Sequence, residues 1–205
     1  MKKLLPVSAV LGAACLSVAG CSTPAPAPSP TVPPASATSS AAAAPASGWE
    51  LNTAGGAERI KAAGLTVLTE EGAAEHFHAH LDVFVDGKPV AVPADIGFSF
   101  TAAGQPNGIS ALHTHDETGI IHIEAPVAGA SYTLGQLLTE WGVLNGTGMP
   151  GTAHSALTGW SVAVNGAKQA GPVQAVVLKA HDEVVLFHGT APEPLPAKFT
   201  FPAGL

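Results

Sequence analysis

The sequence predicts an α+β fold made mostly of antiparallel β-structure, and three observations carry that expectation. Between residues 76 and 92, and again between 109 and 125, polar and apolar residues alternate with period two around turn-forming segments. Between Thr133 and Gly142 the period becomes helical, with Leu134, Leu137, Leu138 and Trp141 on one stripe. Beyond the helix, residues 160–165 and 182–188 return to strand-like alternation.

The chain opens with Lys2 and Lys3, an apolar stretch from Leu4 to Val18, and Val18-Ala19-Gly20-Cys21. A charged start, a short apolar core and small residues at the cleavage point describe a secretory signal (residues 1–20) rather than a spanning helix. The four residues ending at Cys21 resemble the bacterial lipobox. That resemblance implies lipidation of Cys21, which becomes the first residue of a protein anchored by acyl chains, palmitate among them, on the extracytoplasmic side of the cell membrane. Residues 21–48 are almost entirely Pro, Ala, Ser and Thr after the cysteine, a composition with too little apolar mass to order itself. They read as a disordered stalk carrying a single globular domain at 49–205.

All 15 acidic residues lie beyond residue 48, whereas two of the eight Lys and Arg residues precede it, so the domain is more acidic than the formal −7 of the whole chain. Such a surface disfavours nucleic acid and mildly favours cations. Of the two cysteines, Cys15 falls in the expected signal and Cys21 is the residue that the lipobox resemblance implies is lipid-modified. The domain therefore has no thiol for disulfides, thiolate zinc, iron–sulfur or blue-copper chemistry. Apart from Met1 the single methionine is Met149, which disfavours a methionine-rich carrier of reduced copper.

The first strand, from His76 to Val85, sets Phe77, Ala79, Leu81, Val83 and Val85 on one face and His76, His78, His80 and Asp82 on the other. Asp86-Gly87 predicts a tight turn into a second strand, Lys88–Val92. Ile109–His115 and Ile120–Ala125 follow as strands joined through Asp116–Gly119. With that loop centred on Glu117 and Thr118, His115 faces Ile120 and His113 faces His122. Three imidazoles then share a face with Glu124, opposite Leu112, Thr114, Ile121 and Ile123. Thr133 caps the helix and Gly142 stops it. Trp160–Asn165 is a strand, Val173–Leu178 a further candidate, and Asp182–His188 the last.

Nine histidines occur, all between 76 and 188, and six of them form the two period-two arrays: His76, His78 and His80, then His113, His115 and His122. Imidazole is the commonest protein ligand for transition metals, so the arrays point to Cu(II), Zn(II) or Ni(II), with copper or zinc first. Glu124, Asp116 and Glu75 are placed as orienting groups or a further ligand. A structural or interaction role for the histidines, and pH sensing, remain open beside this reading. So does a metal-dependent enzyme with three histidines and Glu124 as base. Binding is preferred because Gly-x-Ser-x-Gly, phosphate-cradling and His-Glu-x-x-His motifs are absent from the sequence, and Glu124 lies too far past His115 for a cupin-type motif. His154, His181 and His188 are isolated and read as ordinary loop or strand residues. A protein partner receiving or delivering the ion is left unspecified.

Two family resemblances accompany these readings. Strands, the Thr133-Leu-Gly-Gln-Leu-Leu helix start, Val164-Asn-Gly and Leu178-Lys-Ala-His-Asp-Glu-Val resemble the β-grasp arrangement of ubiquitin-like domains and small sulfur carriers. The fold implied is a β-grasp-like half at about 109–190, preceded by a β-hairpin at about 76–92. Sulfur-carrier function does not transfer, because the chain ends Phe201-Pro-Ala-Gly-Leu205 and lacks the Gly-Gly tail. His76–Leu81, His113–Glu124 and Thr133–Gly142 also resemble a group of secreted and lipid-anchored bacterial and archaeal proteins. That group shares His-x-His-x-His-Leu and His-Thr-His-Asp-x-x-Gly-Ile-Ile-His-Ile-Glu motifs but has no established activity. The lipobox gives a direct expectation: Cys21→Ala shifts the protein from the membrane fraction to the medium in cell fractionation, and retention on the membrane would contradict the anchor.

Overall fold

The computed structural model describes residues 48–145, 154 and 156–205, all within one compact unit. The signal, the stalk and Cys21 lie outside the described residues. In chain order the elements are α1 (Gly56–Ala62), β1 (Glu75–Val85), β2 (Lys88–Val90), β3 (Phe98–Phe100), β4 (Pro106–Ile109), β5 (Leu112–His113), β6 (Ile120–Ala125), α2 (Leu134–Trp141), β7 (Trp160–Val164), β8 (Ala167–Lys168), a 3-10 turn (Val173–Ala175) and β9 (Glu183–His188). The main sheet runs β5-β6-β1-β9-β7-β8, with β2 also paired to β1, while β3 and β4 form a separate ribbon.

Pairing is antiparallel throughout except between β1 and β9, which run parallel. The mixed α and β, mostly antiparallel character predicted by the alternation is therefore present. The β1–β2 hairpin turns at Asp86 and Gly87, whose φ values of 48° and 75° are the left-handed pair that a type I′ turn needs. The division expected near residue 109 is not observed. β1 lies between β6 and β9, so the 109–190 strands do not form a sheet without it. The cause is the parallel β1–β9 ladder, which pairs His80 with Glu183, 103 positions apart in the chain. No local pattern specifies such a contact.

Period-two alternation delivers the core. Ala79, Leu81 and Val83 from β1, Ile121, Ile123 and Ala125 from β6, Leu112 from β5 and Val184 and Leu186 from β9 are buried on one face of the sheet. α2 covers them with Leu134, Leu137, Leu138 and Trp141. Its start is a capping box: Thr133 Oγ1 accepts from Gln136 N–H at 3.3 Å, and Gln136 Oε1 accepts from Thr133 N–H at 2.9 Å. Its end is Gly142 in the left-handed region, with N–H donated to the carbonyls of Leu138 and Thr139. Trp141 Nε1 donates to the Trp49 carbonyl at 2.8 Å, tying the segment before α1 into the same core.

Several elements depart from the expectations. α1 begins at Gly56, where glycine gives little helical signal, yet a Cβ there would lie 2.2 Å from the Phe98 carbonyl oxygen. The 109–115 segment is not one strand but changes partners along its length. Ile109 pairs with Phe98 and Leu68, Leu112 and His113 join β6, and Thr114 exchanges backbone hydrogen bonds with Asp95 and Ile96. β2 ends at Val90 rather than Val92, and Val173–Ala175 is a 3-10 turn after Pro172 where a strand was expected.

Candidate metal centre

Register builds the site. The β1–β6 ladder pairs His78 with His122 and His76 with Glu124, and the β5–β6 ladder pairs His113 with His122. His113, His122 and His78 thus stand side by side across three adjacent strands, on the face opposite Leu112, Ile121, Ile123 and Ala79. Ring centroids are 4.5 Å apart for His78–His122 and 5.4 Å for His113–His122. His115 lies just past the end of β5, yet its ring returns to within 4.5 Å of His122 and 4.8 Å of His113. Gly97, at φ 80°, carries the chain across His113: a Cβ there would sit 2.3 Å from the Leu112 carbonyl oxygen and 2.9 Å from His113 Cβ. That close approach places the Phe98 ring edge-on to His113 and His115 at 5.6 and 5.7 Å and seals His113 from solvent.

The donor atoms converge. His76 Nε2 lies 3.1 Å from His78 Nε2, and His78 Nε2 lies 3.1 Å from His122 Nδ1. Glu124 Oε1 closes the ring, 3.4 Å from His122 Nδ1 and 3.3 Å from His76 Nε2. Beside it, His113 Nε2 and His115 Nε2 are 3.2 Å apart. Two donor sets follow: His76, His78, His122 and Glu124, and His113, His115, His122 and Glu124, with the atoms of each set within 4.8 Å of one another. In a tetrahedral site with bonds of 2.0 to 2.1 Å, neighbouring ligand atoms are about 3.3 Å apart. The four distances of the first set fall on that edge length.

Protonation suits a ligand role. The Ser110 carbonyl is 3.0 Å from His113 Nδ1 and can only accept, so Nδ1 carries the proton and Nε2 turns a bare lone pair toward His115. Burial, reinforced by the neighbouring His115, lowers the His113 pKa to about 3. Burial and the charges of His115 and His78 lower that of His122 to about 4. His78 is lowered as well, by burial first and by His76 next. Three rings are thus held neutral, the form that binds metal. Glu124 is pushed the other way, by burial and by the nearby charge of Glu71.

Not every expected residue joins this cluster. His80 shares the face of His78 but belongs elsewhere: Nε2 donates to the Thr118 carbonyl at 2.9 Å, and Nδ1 faces Glu183 Oε2 at 2.8 Å. Burial alone would lower its pKa, but the hydrogen bond and charge of Glu183 outweigh it and raise the value. Both ring nitrogens are engaged by protein groups, and His80, Asp82 and Glu183 together form a third group close enough to surround an ion. The ring also stacks on Phe199 at 3.7 Å. In this position it also fastens the 115–119 loop and the C-terminal segment to the sheet.

Asp116 folds back on its own turn, accepting from the backbone N–H and the hydroxyl of Thr118, and those hydrogen bonds lower its pKa. Glu75 sits on the other face of β1 and accepts from Gly129 N–H at 3.0 Å. His154 stacks on Trp49, His181 packs against Phe201 and His188 against Trp160, all outside the two donor sets. Residues that the sequence expectation did not include are Asp82 and Glu183 beside His80, and Glu71, whose Oε1 lies 3.6 Å from His115 Nε2. Glu71 arrives because the chain before β1 follows β6, with Gly72 N–H on the Glu124 carbonyl and Ala74 N–H on that of Ala125. A Glu-Glu pair ahead of a strand was its only signal.

Comparisons with protein-family models, curated proteins and solved structures find no match to the chain. The site's geometry therefore carries the functional argument.

The depressed His113 pKa has a signed consequence for stability. Between pH 6.5 and about 3 the unfolded chain protonates this histidine while the folded one does not, so the metal-free protein loses stability as pH falls through that window. At pH 4.5 the loss from this ring alone is about 2 to 3 kcal/mol, at 1.36 kcal/mol per pKa unit. Urea unfolding in the presence of a chelator should show wild type and His113→Gln drawing closer by that amount between pH 7 and pH 4.5. Parallel losses in the two proteins would contradict the buried neutral ring.

Proposed function

We propose that this chain is a cell-surface lipoprotein that binds a divalent transition metal, Cu(II) or Zn(II), in the histidine row of β5, β6 and β1, for metal binding or delivery. The observation that carries the reading is the closed ring of His76, His78, His122 and Glu124, whose four nearest donor contacts run from 3.1 to 3.4 Å. Imidazoles and a buried carboxyl converge on one point, where a cation would replace the hydrogen bonds that the ring nitrogens share with one another.

Four protein donors per set favour holding the ion over activating a water, which needs an open coordination position. Each set also has one exposed edge: the His76 and His115 side chains are 55% and 42% accessible, so an ion can enter and leave from solvent. Nitrogen and oxygen donors without thiolate suit Cu(II) and Zn(II), and the general affinity order favours copper. The sequence supports the location: the Val18–Cys21 lipobox supplies the membrane anchor, the Pro-rich stalk supplies reach, and the acidic domain favours cations over nucleic acid. Among the described residues no helix is long and apolar enough to cross a membrane. A protein that hands over or receives the ion would meet the site at its exposed edge.

Calorimetric titration of Cu(II) and Zn(II) tests the site. Replacing the shared ligand, His122→Ala, should weaken binding at least about 100-fold, in line with losing a ligand rather than an outer-shell partner. His154→Ala should leave affinity unchanged. Equal affinities for wild type and His122→Ala would contradict the reading.

A further inference from the structure

Five imidazoles cannot share one ion here. Two donors on a single ion with bonds of 2.0 to 2.1 Å lie at most about 4.2 Å apart, and the histidines separate into two sets, none containing both His78 and His113. What the two sets have in common is His122 and Glu124. Both are groups with two donor atoms. His122 Nδ1 lies 3.1 Å from His78 Nε2 and 3.4 Å from Glu124 Oε1, so the first set engages one of the two ring nitrogens. The carboxyl of Glu124 has Oε1 on the first set, and Glu71 and His115 both act electrostatically on the same group.

We infer that the cluster is a two-ion centre, one ion held by His76 and His78 and the other by His113 and His115, with the His122 ring bridging them as imidazolate and Glu124 available to both. This inference rests on the metal-binding reading and deepens it. The step balances simply. His122 starts neutral with one ring proton; when the second ion takes that nitrogen, the N–H bond breaks and the proton passes to solvent. Each ion then gains a nitrogen lone pair and no electron changes hands.

The surroundings are built for the added charge. Two divalent ions bring four positive charges, met by the imidazolate, Glu124 and Glu71, whose Oε1 stands 3.6 Å from His115 Nε2. His113 is held as an Nε2 donor by the Ser110 carbonyl, so the second set has a ligand of fixed orientation just as the first has buried His78. The ring planes fit a shared group: His78 and His115 each stand almost perpendicular to His122, at 89° and 85°, with centroids 4.5 Å away.

Stoichiometry decides the matter, measured on the full chain freed of metal, reloaded with Zn(II), and passed through gel filtration before elemental analysis. Wild type should retain two ions per chain, while His76→Ala and His115→Ala, both at exposed positions that tolerate truncation, should each retain one. With Cu(II), low-temperature electron paramagnetic resonance intensity should rise through the first equivalent and fall through the second, as the bridged spins couple. One ion per chain in wild type would overturn the two-ion inference while leaving the metal site intact. Two ions with additive spin intensity would overturn the bridge, and no retained ion would overturn both this inference and the binding reading. Circular dichroism of the two variants verifies that each is folded, so a lost ion reports on the ligand removed.

Discussion

Everything at the site depends on the register between β1 and β6. Pairing His78 with His122 sets three imidazoles in one row, because β5 places His113 opposite the same residue. A slip of one position would turn β1's histidines into the core and Ala79, Leu81 and Val83 out into water. The apolar face therefore fixes the polar one. Burial of Ile121 and Ile123 beneath α2 locks the strand that carries His122 and Glu124, and β6 sits between β5 and β1 so that both neighbours are aligned to it. The site costs the fold little extra organisation, since the same alternation that makes the core also assembles the histidine row.

Electrostatics pulls the other way and is held in check locally. Crowded rings that could each take a proton would repel if charged, so burial and mutual proximity keep His113, His122 and His78 neutral. His80, one step along the same face, takes the opposite fate because Glu183 from the parallel strand β9 meets it. One face of one strand thus carries two kinds of histidine. His76 and His78 turn toward a point shared with His122, and His80 turns to Glu183 and Thr118.

Much of this was legible in the chain. Strict alternation in 76–85 and 120–125 predicted the strands and which side each histidine takes, and the loop centred on Glu117 and Thr118 predicted that His113 faces His122. Thr133, Gln136 and Gly142 marked both ends of α2 because capping is a local interaction. What was hidden depends on partners distant in the chain. The parallel β1–β9 pairing removed the expected boundary near 109 and drew His80 away through Glu183. Gly97 and Gly119 allow close backbone approaches that a residue's name alone does not announce: a Cβ at Gly119 would sit 2.5 Å from the Leu81 carbonyl oxygen. Glu71 reaches His115 only because its segment follows β6, and Asp116 and Glu75, equally acidic and closer in sequence to histidines, are turned to other bonds.

The central claim is that His122 is a metal ligand lying between two donor sets. Anomalous diffraction from crystals of the full chain, purified without an affinity tag and loaded with Cu(II) or Zn(II), tests it most directly. The account predicts anomalous density within bonding distance, about 2 Å, of a His122 ring nitrogen, with His78 or His113 as co-ligand. Density confined to His154, His181 or His188, with none at His122, would contradict it.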